Sequence, residues 1–114
     1  MFIGREFHID SAHQLPGHPR CGTLHGHTYR IAVELGGAQD ERGMILDFAD
    51  LRRETEAFLE HLDHVYLNDV LEKPPTVENI ADYIFQGLKE RLPGLTRVKV
   101  WEGHGKYAEV GEPR

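Results

Sequence analysis

From Thr28 to Leu35 the side chains alternate without a break: Tyr29, Ile31, Val33 and Leu35 fall on one face, Thr28, Arg30, Ala32 and Glu34 on the other. A period of two marks a strand with one buried face. Gly36 and Gly37 end it. The period then changes. Phe48, Leu51, Phe58, Leu59 and Leu62 recur roughly every 3.6 residues, which predicts a helix over Asp47–Leu62. Thr76 suits the N-cap of a second helix. Val77, Ile80, Ala81, Ile84, Phe85 and Leu88 form its apolar stripe, and Pro93-Gly94 stops it. Strand patterns return at Thr96–Trp101 and Tyr107–Val110, with Gly103-His104-Gly105 suited to turn the chain between them. At the other end Phe2–Ile9 is apolar and β-prone, though its alternation is imperfect. Ser11–Gly26, rich in Gly, Pro and His, reads as a long loop. The order ββααββ predicts an α+β fold, with two helices on one face of an antiparallel sheet. The opposite face must meet water or a partner, and apolar residues on both strand faces favour a partner.

The length, 114 residues, suits one domain spanning 1–114. Lys plus Arg number 13 against 19 Asp plus Glu, a net charge of -6. So acidic a chain is a poor general binder of nucleic acid or anionic membrane, and neither is expected as a partner. No apolar run approaches the length of a membrane span, and the start MFIGREFHID lacks the pattern of a signal peptide. The one cysteine, Cys21, suits a reducing, cytoplasmic setting.

Eight histidines are the unusual count. In extended chain His25 and His27 project to the same face. His13 follows the first strand, which should pair with the second, and so becomes the third candidate. Three neutral imidazoles leave the fourth tetrahedral position open, as in a catalytic zinc site. Cys21, beside that cation, reads two ways: a thiolate acting as base or nucleophile, or a soft fourth ligand closing a structural site. Asp63-His64 reads as a carboxylate-oriented imidazole or as a polar helix end. Glu78 suits the first turn of a helix. Glu102 is a strand-end carboxylate or a two-point acceptor for a guanidine-like group. No HExxH-type hydrolase motif is present.

Together these residues resemble the 6-pyruvoyl-tetrahydropterin synthase family, and more narrowly its 6-carboxytetrahydropterin synthase branch in queuosine (7-deazaguanine) synthesis. The resemblance is carried by Phe7-His8-Ile9-Asp10-Ser11-Ala12-His13, by Cys21-Gly22-Thr23-Leu24-His25-Gly26-His27-Thr28-Tyr29, and by Met44-Ile45-Leu46-Asp47-Phe48. It continues through Leu62-Asp63-His64-Val65-Tyr66-Leu67-Asn68, Pro75-Thr76-Val77-Glu78-Asn79 and Val98-Lys99-Val100-Trp101-Glu102. The short spacing from Cys21 to His25 is that of the carboxy-forming branch, whereas Gly103-His104-Gly105-Lys106 departs from it. The resemblance implies one zinc ion per subunit on His13, His25 and His27. It implies Cys21 as catalytic thiol, Asp63 and His64 as a second proton-handling pair, and Glu102 as pterin anchor helped by Thr76 and Glu78. The implied architecture is the tunnelling fold, with subunit sheets joined into a barrel and two rings stacked as a homohexamer. The implied substrate is 7,8-dihydroneopterin triphosphate, whose charge calls for local Lys or Arg groups. Pyruvoyl-forming or aldolase activity is the near alternative, and a metal-stabilised binding module without catalysis the distant one.

Overall fold

β1 (Phe2–His13) and β2 (His25–Gly36) are antiparallel partners along their whole length, from Phe2 opposite Gly36 to His13 opposite His25. This is a computed structural model, and it describes residues 1–17 and 22–113. The loop expected over 11–26 is therefore shorter. Ladder hydrogen bonds are made by the backbone, so polar residues at the hairpin's open end stay extended as readily as apolar ones.

α1 (Phe48–Leu59) starts where expected, the Asp47 carboxylate accepting from the Ala49 amide at 2.8 Å. It ends earlier than expected, because Glu60–Leu62 tighten into a 3-10 turn. The tighter turn keeps Leu62 fully buried while Asp63 leaves in extended conformation. α2 (Val77–Lys89) is capped by Thr76, whose hydroxyl oxygen accepts from the Asn79 amide at 3.1 Å. β3 (Leu95–Glu102) and β4 (Lys106–Gly111) complete a four-stranded antiparallel sheet in the order β1-β2-β3-β4. Gly103 and Gly105 turn the last hairpin with φ of 63° and 77°, a region that glycine enters without strain.

The core lies between sheet and helices, with Ile9, Tyr29, Ile31 and Val100 against Leu51, Ile80, Ile84 and Leu88. The uncovered face differs from expectation in its chemistry. Two of its large rings carry cations: the Arg30 guanidinium lies 3.8 Å from the Trp101 ring centre and the Lys99 ammonium 4.0 Å from that of Tyr107. Glu6 pairs with Arg30 at 3.5 Å beside them. None of the described helices is long and apolar enough to cross a membrane.

One further packing decides the site. The segment after α1 is stitched to the C-terminal half of the β1 edge. The Asp10 amide donates to Asp63 Oδ1 at 2.9 Å, the His64 amide to the Asp10 carbonyl at 2.7 Å and the Ala12 amide to the Val65 carbonyl at 3.0 Å. The Gln14 amide donates to Asn68 Oδ1 at 2.9 Å, and Asn68 Nδ2 returns a bond to the Gln14 carbonyl at 2.7 Å. The Ser11 hydroxyl donates to the Leu62 carbonyl.

Candidate metal centre and active site

The β1–β2 register alone assembles three imidazoles. His13 and His25 are cross-strand partners, and His27 lies two residues further on the same face. The ring centres are 4.5 Å (His13–His25), 4.6 Å (His25–His27) and 5.0 Å (His13–His27) apart. One nitrogen from each ring lies within 4.8 Å of the others. His13 is fully buried.

Hydrogen bonds fix which nitrogens face inward. His13 Nδ1 lies 2.8 Å from the Pro75 carbonyl, and His25 Nδ1 lies 2.7 Å from the Thr23 carbonyl. A carbonyl only accepts, so each neutral ring carries its proton on Nδ1. That leaves the two Nε2 lone pairs facing each other at 2.9 Å. Two lone pairs at that distance repel, and a divalent cation between them turns the repulsion into coordination. His27 Nε2 is buried without a hydrogen-bond partner among the described residues, since Glu102 Oε1 at 3.6 Å is too far to accept. The donor set therefore fits a metal: imidazole nitrogens suit zinc and other late divalent ions. Carbonyl-oriented imidazoles are also the usual setting of metal ligands.

Burial lowers the His27 pKa below the ordinary histidine value, reinforced by His13 and His25 and opposed by Glu102. Its nitrogen is thus free to bind metal at neutral pH. In the unfolded chain a histidine titrates near ~6.5. Below that pH the unfolded state takes up a proton that the metal-free fold resists, so stability falls as pH drops through ~6.5 towards the lower folded value. Urea midpoints of the metal-free protein should therefore fall between about pH 7.5 and about pH 5.5, and by less in His27→Gln. Equal falls in both proteins would contradict the assignment.

Asp63 and His64 form a separate cluster. His64 Nδ1 lies 3.0 Å from Asp63 Oδ1, and Asp10, which was not foreseen, brings a second carboxylate within 4.8 Å of both. The Thr28 hydroxyl donates to Asp10 Oδ1. His64 has φ of 56°, the left-handed region, which a non-glycine residue occupies at a cost. A cleft of about 570 Å³ is lined by His64, Asp10, Thr28 and His27, so it borders both clusters. A larger cleft, about 830 Å³, lies between β1 and α1 and includes only Asp63 of these residues.

Glu102 is buried, with Oε1 3.6 Å from both His27 Nε2 and Lys106 Nζ. Thr76 is occupied as a helix cap, and Glu78 is exposed in the first turn of α2. Cys21 lies outside the described residues.

The sequence profile described as 6-pyruvoyl tetrahydropterin synthase matches residues 2–113. The chain belongs to that family. A relative in Synechocystis sp. named 6-carboxy-5,6,7,8-tetrahydropterin synthase is 40% identical over 121 residues, covering 98% of this chain and 94% of the relative. Dihydroneopterin monophosphate aldolase of Pyrococcus furiosus is 37% identical over 84 residues, covering 71% and 72%. Among solved structures of the family, Caenorhabditis elegans 6-pyruvoyl tetrahydropterin synthase superposes with a TM-score of 0.91 at 26% identity, over 99% of this chain and 96% of the other.

Proposed function

We propose that this family member is a zinc-dependent 6-carboxy-5,6,7,8-tetrahydropterin synthase of the queuosine pathway. It would convert 7,8-dihydroneopterin triphosphate to 6-carboxytetrahydropterin, acetaldehyde and triphosphate in the cytoplasm. The observation that carries the reading is the pair of carbonyl-locked imidazoles, whose lone pairs converge at 2.9 Å. The near-full-length relatives of that name supply the substrate class.

His13, His25 and His27 hold one zinc ion per subunit, which when bound supplies a Lewis acid that acidifies carbons next to the oxygens it polarises. Cys21 moves protons on one face of the substrate and the Asp63–His64 pair on the other. Glu102 accepts from the amino-pyrimidine edge of the pterin through two parallel hydrogen bonds, and Thr76 and Glu78 assist. That anchorage places the reacting side chain at the metal. The chain assembles as a homohexamer of two stacked rings, sheets joined edge to edge into barrels. The active sites lie at subunit interfaces, where a pair that forms its own cluster can serve the metal centre.

Mass identification of the products from dihydroneopterin triphosphate tests the reading. Acetaldehyde with the carboxypterin is the expected result. Glycolaldehyde would point to the aldolase chemistry named for the Pyrococcus relative, and a pterin retaining its full side chain to the pyruvoyl product. No turnover with metal retained would leave a binding module. Glu102→Gln should weaken binding of the product pterin by more than ~1.5 kcal/mol, the lower range for losing a charged hydrogen-bond partner. An unchanged constant in titration calorimetry would remove Glu102 from the site.

A further inference from the structure

We infer that Gln14 is a positioning residue of the metal centre, tethering the peptide that orients the ligand His25; the inference rests on the three-histidine reading above. Gln14 follows the ligand His13 directly and is held by four hydrogen bonds. Its backbone exchanges two with the Asn68 side-chain amide, at 2.9 Å and 2.7 Å. Its own amide side chain makes two more: Nε2 donates to the Gly22 carbonyl at 2.5 Å, and Oε1 accepts from the Tyr66 hydroxyl at 3.4 Å.

The bond to Gly22 acts through the next residue. Thr23 is that residue, and its carbonyl accepts a hydrogen bond from His25 Nδ1 at 2.7 Å. Residues 22–24 precede β2 and pair with no strand among the described residues. The Gln14 side chain thus fixes one carbonyl of this stretch, and the neighbouring carbonyl fixes the ring of a metal ligand. His13 is independent of this chain of contacts, since its Nδ1 is oriented by Pro75 from the other half of the molecule. Releasing Gly22 frees Thr23 to drift, and His25 can then adopt the other tautomer, with its proton on Nε2, where the metal lone pair should be. The predicted loss is specific to one of the three ligands.

The test uses the full chain and zinc alone. Gln14→Met keeps the side-chain length but donates no hydrogen bond; Gln14→Asn keeps the amide but is too short. In chelator competition both variants should bind zinc about 10- to 100-fold more weakly than the wild type, the usual cost of losing a partner that orients a metal ligand. Tyr66→Phe, which cuts only the other arm, should bind like the wild type. In the metal-free proteins, ring nitrogen shifts should show His25 moving to the Nε2–H tautomer in the Gln14 variants, with His13 unchanged and thermal midpoints close to that of the wild type. Wild-type zinc affinity with an unchanged His25 tautomer overturns the inference. So does loss of the metal-free fold in both variants, which would assign Gln14 to folding. A wild-type chain that binds no zinc would sink the three-histidine reading instead, and the His25 tautomer would still decide for or against the tether.

Discussion

His27→Ala is expected to lose zinc by more than ~100-fold in affinity, beyond the upper range for losing a residue that only orients a ligand. The reason lies in the inner shell. His13 and His25 alone offer two Nε2 donors, and two imidazoles do not complete the three-ligand set of an open zinc site. Turnover should disappear with the metal. The metal-free fold should survive, because His27 Nε2 makes no hydrogen bond whose loss would be felt among the described residues. Metal content after exhaustive dialysis, with a thermal midpoint of the metal-free protein, measures both. Stoichiometric zinc at wild-type affinity would dismiss His27 as a ligand, and with it the open three-imidazole site.

The second large effect separates stability from activity. His64 sits at φ of 56°, where its Cβ makes the conformation unfavourable. Glycine adopts the region freely, so His64→Gly should gain about 0.5–1 kcal/mol in urea unfolding. The exposed Asp63–His64 pair contributes little that would offset the gain, because surface ion pairs are weakly stabilising. If His64 carries a proton in the reaction, turnover should nevertheless fall about 10²- to 10⁴-fold, the usual share of a positioned acid or base. A variant that is more stable and inactive would show strain retained for chemistry. A variant that keeps its turnover would remove His64 from the proton path, and one that loses stability would show that the conformation costs nothing.

The architecture was readable wherever side chains report their own environment. Tyr29, Ile31, Val33 and Leu35 announced β2, and the stripe from Val77 to Leu88 announced α2, because burial selects apolar residues at the period of the element. The end of the first hairpin was harder. Residues 10–13 and 25–27 are polar or small, and a ladder made of backbone groups leaves no hydrophobic trace, so the loop looked longer than it is. The three histidines were legible by one geometric step, the pairing of the strands that carry them. Their orienting partners were not, since Pro75 and Thr23 act through carbonyls, which every residue has. Nor does a histidine advertise a left-handed backbone, as glycine would. Asp10 stands in a recognisable block, yet its closeness to His64 depends on the 62–68 segment docking along β1, a long-range contact that no local pattern encodes.

All the imidazoles of the proposed centre lie within the first 27 residues, on one hairpin, and among the described residues the Pro75 carbonyl and the Glu102 carboxylate reach them from the later half of the chain. During synthesis the hairpin can close before either helix has left the ribosome, so the order of assembly is open to a captured ion. An early-bound zinc would act as a rivet between β1 and β2, and the helices would then condense on a template whose register is already set.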